Sequence, residues 1–342
     1  METRSEVESV DDGCTGAAVK KRAPRNRTLT LSADEQRRLA HRVLSLEDHD
    51  PRLPLPLDRT ICGDSFQCLP LVAKGSVDLV ILDPPYNLNK TFNGRVFARR
   101  AVHEYTEWLD EVCGLVRPLL KDTGSIYICG DWFSSASIFS AASKHFEVRN
   151  RITWEREKGR GANANWKNSS EDVWFCTVSD EFTFNLDAVR LRRRVLAPYT
   201  EGDGAPKDWM RTDSGNFRDT CPSNFWSDIT VPFWSMPENT DHPTQKSEKL
   251  IAKLTLASSN RDDVVLDPFL GSGTSSVVAK KLGRRYLGIE LDQDYCLLAE
   301  KRLELAEGDK RIQGFDDGVF WERNSQPVPR MQGGKVASFD FA

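Results

Sequence analysis

Asp83-Pro84-Pro85-Tyr86 stands directly behind the apolar run Val77-Asp78-Leu79-Val80-Ile81-Leu82. A short apolar stretch without strict alternation suits a strand covered on both faces of a sheet. The two prolines end its ladder, because neither donates a backbone hydrogen bond and each restricts the residue before it. A carboxylate and an aromatic ring are thereby held at the carboxyl end of a central strand, where open α/β sheets place their ligands. Taken alone, the tetrapeptide is equally a rigid turn. A second motif tips the balance toward chemistry.

That motif runs from Val264 through Val265-Leu266-Asp267-Pro268-Phe269-Leu270-Gly271-Ser272-Gly273 to Thr274, with helix-like sequence from Ser275 to Leu282. The order is strand, glycine loop, helix. Gly271 and Gly273 permit a tight turn and close approach of backbone to ligand. A further strand, Arg285-Tyr286-Leu287-Gly288-Ile289-Glu290, ends in an acid about twenty residues beyond the loop, where a carboxylate accepts bonds from ribose hydroxyls. A dinucleotide site carries a third glycine and faces a pyrophosphate. Here Ser276 stands in the third position, and Asp267 opens the loop with a charge that repels phosphate but suits the ammonium of an amino acid. The pattern therefore favours S-adenosylmethionine over a nicotinamide dinucleotide. Ile61-Cys62-Gly63-Asp64-Ser65-Phe66 adds a strand end in which Asp64 could accept from an adenine amino group and Phe66 pack on its ring; a plain Gly-Asp turn is the alternative.

The chain of 342 residues can bury a sizeable core, and its net charge of −4 neither requires nor excludes nucleic acid. Eight cysteines are scattered without a Cys-x-x-Cys pair or zinc spacing, so reduced thiols and no metal site are expected. The acidic first residues lack a signal-peptide core, and no apolar run is long enough to span a membrane.

Positioning elements follow from local pattern. Residues 1–27, with the basic run Lys20-Lys21-Arg22, are polar and expected to be disordered. Ser32 and Glu35 have capping-box spacing and predict a helix through Leu46, followed by an extended Pro51–Pro56 linker. Apolar residues at Trp108, Leu109, Val112, Leu115 and Val116 predict a helix over 106–119. A strand at 125–129, a helix at 134–145 and strands at 149–154 and 173–177 come next. Gln245 and Lys246 are expected to open a helix running to Leu256. From 187 to 240 periodicity breaks down: Arg190, Arg192, Arg193 and Arg194 precede Trp209, Phe217, Phe225, Trp226, Phe233 and Trp234. Interleaved basic and aromatic residues suit phosphate contact and base stacking. Most of these aromatics are expected to form a small satellite core. Arg95, Arg99 and Arg100 lie just past the first motif, in a stretch suited to a loop that closes on a target. Beyond Gly308 the chain is expected to be peripheral, with Phe315, Phe320 and Trp321 able to dock.

The order Asp83 to Tyr86, His242-Pro243-Thr244-Gln245-Lys246, Asp267 to Thr274 and Gly288-Ile289-Glu290 resembles the β class of exocyclic-amino DNA methyltransferases, over most of 59–305. The resemblance implies a doubly wound, mostly parallel Rossmann-like α/β sheet of about seven strands with an inserted target-recognition segment. It implies an extension at 1–57, a catalytic half at 58–186, the recognition segment at 187–240, an S-adenosylmethionine-binding half at 241–308 and a tail at 309–342. It further implies a cytoplasmic enzyme of bacterial or phage type that methylates double-stranded DNA, with a cognate restriction endonuclease and a homodimer as candidate partners.

On this reading Asp83 and the Pro84 carbonyl accept the two protons of a target amine, Pro85 stiffens the turn, and Tyr86 offers a ring to a flipped base. Asp64, Phe66, Gln245, Lys246, Asp267, Phe269, Gly271, Ser272, Gly273, Thr274 and Glu290 surround the cofactor. Thr274 is expected to bond the cofactor carboxylate, and His242 to be structural. An opening aspartate points to N6 of adenine; N4 of cytosine and a non-catalytic DNA-binding homologue are the alternatives.

Overall fold

The computed structural model describes residues 23–92, 95–156, 164–196, 199–213, 215–323 and 325. Nine strands form the main sheet: β1 (Val43–Ser45), β2 (Arg59–Cys62), β3 (Val77–Leu82), β4 (Leu120–Gly130), β5 (Glu147–Glu155), β6 (Ser170–Thr177), β7 (Phe225–Trp226), β8 (Val264–Asp267) and β9 (Arg285–Glu290). Their spatial order is β1-β2-β9-β8-β3-β4-β6-β5-β7. The six strands from β1 to β4 run parallel, and β6 is antiparallel to both β4 and β5. The sheet is therefore mixed and larger than the seven strands expected.

The helices are α1 (Ala33–Ala40), α2 (Ser65–Cys68), α3 (Val102–Val116), α4 (Ser135–Ala142), α5 (Glu248–Ser258), α6 (Thr274–Lys281) and α7 (Gln293–Gly308). They leave two apolar clusters, one on each face of the sheet. Leu79 and Ile81 point into the first with α5 and α6, Val80 and Leu82 into the second with α3 and α4. Alternation along one strand thus feeds both faces, which is why β3 is apolar almost throughout. Each of these side chains contributes about 1.5–3 kcal/mol by leaving water. Asp78, the one acid in the strand, accepts from Lys121 Nζ at 2.6 Å and from the Val264 amide at 2.8 Å, locking β3 to the start of β8.

Several boundaries differ from expectation. The capping box at Ser32 and Glu35 forms, but α1 stops at Ala40. Val43-Leu44-Ser45 then pairs with Thr60-Ile61-Cys62 as an edge strand, so sheet pairing overrides local helical pattern there. Lys246 precedes Ser247, the residue that caps α5, so the Gln245-Lys246 pair lies in the approach to the helix and not inside it. Among the described residues past 308, Phe315, Phe320 and Trp321 dock onto the body. Phe315–Asp316 and Val319–Trp321 join Leu191–Arg194, Gly215–Thr220 and Met210–Thr212 in a second, five-stranded sheet, with Phe320 fully buried. Residues 315–321 thus share a sheet with strands from segment 187–240. Of the tail expected at 1–27, residues 1–22 lie outside the described residues, as do 326–342. Arg27 donates its amide to the Trp234 carbonyl, so the chain is already packed there.

Candidate active site and cofactor cavity

β3 and β8 are neighbours in parallel register, Leu79 opposite Val265 and Val80 opposite Leu266. Their carboxyl ends therefore deliver Asp83 and Asp267 side by side. Both line one cavity of about 390 Å³, together with the end of β9 and the start of α2. Two sequence motifs separated by almost the whole fold meet here because strand order, not chain order, sets proximity.

One end of the cavity is aromatic. Phe66 and Phe269 flank Trp108, with ring centroids 6.1 and 5.8 Å from it. Asp64 caps α2 by accepting the Phe66 amide at 2.9 Å and lines the same wall. Glu290 accepts the Gly271 and Asp292 amides, each at 2.8 Å, which fixes its carboxylate against the glycine loop. Each of its oxygens keeps a second lone pair for a ligand. Asp267 accepts the Phe269 amide at 3.0 Å, and burial pushes its carboxyl up to about 7. Such a group gains from a cation beside it.

Gly271 and Gly273 both have positive φ, 55° and 87°. They do different work. Gly271 turns the loop against His242 and lines the cavity. Gly273 caps α6 from a place where a Cβ would stand 2.6 Å from that of Ala299, so the missing side chain allows close packing on α7. Ser272 lines the cavity. Thr274 does too, and its hydroxyl donates to the Lys246 carbonyl at 3.2 Å and accepts from Arg302 at 2.9 Å. Gln245 is likewise occupied: its oxygen accepts from Thr240 N and Oγ1, and its amide donates to the Glu238 carbonyl. It holds the loop in shape.

The other end of the cavity is polar. Lys246 does not reach toward the glycine loop; its Nζ donates to both oxygens of Asp83 at 2.7 Å and lies 3.0 Å from the Tyr86 hydroxyl. Tyr86 in turn donates toward Asp83 at 3.3 Å and Glu171 at 3.2 Å. Glu171, buried on β6, also accepts from Arg156. Burial raises the Asp83 carboxyl against the pull of Lys246, and it raises the Tyr86 hydroxyl well above its ordinary value. Burial works against the Lys246 ammonium, but the charges of Asp83 and Glu171 outweigh it and hold the proton more tightly than usual. The Tyr105 hydroxyl donates to the Pro85 carbonyl at 2.9 Å, which anchors the turn.

Trp108 and Glu171 were not picked out by sequence reasoning. Trp108 is visible in the sequence only as one apolar position of α3, and Glu171 only within Ser170–Phe175, which is similar to the family's later catalytic-domain strands. Among the basic residues, Arg99 lies over the Phe133 ring, and Arg100, which lines the cavity, lies over Trp108. The side chain of Arg95 lies outside the described residues. Arg192 forms a two-point ion pair with Asp219 at 2.7 Å and packs on Trp321, so it is structural and not a free phosphate contact. Arg190 pairs with Asp187. Arg193 and Arg194 are exposed. Trp209 and Phe217 are buried apart from the main core, Trp226 is buried within it on β7, and Phe225, Phe233 and Trp234 are exposed, so the six do not gather into one satellite core.

Residues 77–301 match the DNA methylase family of N6 and N4 methyltransferases. The chain is 34% identical over 254 residues to the DNA adenine methyltransferase YhdJ of Escherichia coli (strain K12), across 72% of this chain and 82% of that one. It is 32% identical over 264 residues to the type II methyltransferase M.HpaI of Haemophilus parainfluenzae, across 75% and 76% of the two chains. Among solved structures, PvuII DNA methyltransferase (cytosine-N4-specific) shares the fold at a TM-score of 0.53 and 16% identity, covering 76% of this chain and 95% of that one. The chain belongs to this DNA methylase family: it is an S-adenosylmethionine-dependent DNA methyltransferase.

Proposed function

We propose that the enzyme methylates N6 of an adenine turned out of duplex DNA, with Asp83 to Tyr86 as the target-amine site and the Asp64, Phe66, Trp108, Asp267, Phe269 and Glu290 wall as the cofactor site. The observation that carries this is the opening of Asp83 and Asp267 onto one cavity from adjacent strand ends. The residues present suit the cofactor: aromatic rings for its base, Glu290 for its ribose and the buried Asp267 for its ammonium. Bound there, S-adenosylmethionine supplies an electrophilic methyl group on a sulfonium.

The protein's share is orientation and charge. An aromatic amine is a weak nucleophile because its lone pair is delocalised into the ring. Asp83 and the Pro84 carbonyl, fixed by the proline turn, accept its two protons and turn the lone pair out of the ring plane. Preorganised acceptors stabilise the positive charge that develops on nitrogen during transfer. Holding donor and amine together adds the advantage of proximity. Tyr86 presents its ring to a base that the duplex would otherwise hide.

Adenine is favoured because the motif opens with aspartate and because YhdJ carries adenine in its name. Residues 187–240, with 315–321, serve as the recognition segment, and Arg193 and Arg194 meet phosphate. A restriction–modification setting with a cognate endonuclease, action as a homodimer and a cytoplasmic location complete the reading; the relative M.HpaI is named as a type II methyltransferase. Among the described residues, no helix is long and apolar enough to cross a membrane. The test is nucleoside mass spectrometry of duplex DNA incubated with the enzyme and isotope-labelled methyl donor. Labelled N6-methyladenine is expected; labelled N4-methylcytosine, or none, overturns the assignment.

A further inference from the structure

We infer that Glu171 is a positioning residue that draws the Lys246 ammonium off Asp83 when the target amine arrives. The inference rests on the amine site proposed above. Both Asp83 oxygens accept from Lys246 at 2.7 Å. A carboxylate has lone pairs to spare, so an amine can still bond to it. Yet a carboxylate neutralised by an ammonium gives little electrostatic help to a nitrogen that is becoming positive. The ion pair therefore mutes the group on which catalysis depends, and the reaction gains if the ammonium has somewhere else to go.

Glu171 is that place. Its carboxylate oxygen lies 3.5 Å from Lys246 Nζ, so a shift of about 0.5 Å brings the pair to hydrogen-bond length. The Tyr86 hydroxyl already touches Lys246, Asp83 and Glu171, so the ammonium moves along a continuous set of acceptors without crossing apolar space. Arg156 holds the other Glu171 oxygen from behind, which keeps the carboxylate from following the ammonium toward Asp83. Lys246 remains paired and buried at both stations, so the transfer avoids leaving an uncompensated buried charge. A carboxylate present only to balance Lys246 and Arg156 would affect stability and leave the rate of transfer alone.

The test compares the full chain with its Glu171→Gln and Glu171→Asp variants in single-turnover methylation at saturating DNA and cofactor, alongside cofactor affinity by calorimetry and thermal melting. Gln keeps the shape but removes the charge. Its transfer rate should fall by about tenfold or more, with cofactor Kd and DNA KM within about twofold of the parent. Asp keeps the charge at a longer reach and should lie between the two. The inference is overturned if Gln transfers at the parental rate, if its loss is matched by weaker cofactor binding, or if Asp is no faster than Gln. Should Gln fail to fold, the Asp variant decides: a parental rate overturns the inference, a slower rate with unchanged cofactor Kd supports it. If the parent enzyme itself forms no methyladenine, the amine-site reading fails first, and this inference with it.

Discussion

The two sides of the cleft are built by different means. The proposed cofactor side is built mainly from three strand ends and their short loops: Asp64 after β2, Asp267 at the end of β8 with the loop to Thr274, and Glu290 at the end of β9. The target side is assembled from Asp83 and Tyr86 after β3, Glu171 on β6, Lys246 before α5 and Arg156 after β5. On the first side, burial and bonds from backbone amides dominate, with the acids raising one another only at a distance. On the second, four charged side chains and a phenol share one hydrogen-bonded cluster, so no member's charge can change without moving the others.

That difference orders the expected effects. Asp83→Ala removes the acceptor for the amine and leaves the cofactor wall intact. Single-turnover methylation should drop by about 10²–10³-fold while calorimetry shows cofactor binding unchanged. A parallel loss of cofactor binding would show that the two sides do not divide as described.

A smaller effect belongs to Asp267. Its carboxyl is raised by burial to about 7 and must be ionised to hold an ammonium. Affinity is therefore full above that value and falls as pH drops through it, because binding must first expel a proton. Cofactor Kd should weaken about tenfold from about pH 8 to about pH 6, and Asp267→Asn should bind weakly with that step removed. A flat profile in the parent would separate Asp267 from the ammonium.

Smallest is the contribution of the surface proposed to meet DNA phosphate. Replacing Arg193 or Arg194 by Ala should lower the salt dependence of DNA binding by about one unit of log–log slope each, with transfer at saturating DNA unchanged. Arg192→Ala should instead lower the melting temperature, since its guanidinium is committed to Asp219. Equal salt effects from Arg192 and Arg193 would contradict this division.

Legibility follows the same line between the two sides. Asp83, Asp267 and Glu290 could be placed from sequence because an apolar strand followed by Pro or Gly fixes where a side chain must emerge. The Lys246–Asp83 bond could not, because a long flexible side chain from 163 residues away reaches its partner only through tertiary packing. Glu171 was hidden for a related reason: its place beside Asp83 follows from the pairing of β6 with β4 and β5, which no local pattern gives. The second sheet was missed as a unit since its strands are short and its last two arrive about a hundred residues after the rest. β1 was read as helix because three residues carry too little pattern to compete with the capped turn before them.

The central claim is that the cofactor wall and the amine acceptors share one chamber. A crystal structure of the enzyme with S-adenosylhomocysteine tests it most directly. The account predicts the ligand's base among Phe66, Trp108 and Phe269, its ribose on Glu290, its amino group on Asp267 and its sulfur turned toward Asp83. A ligand whose sulfur faces away from Asp83, or that binds outside this cavity, would contradict it.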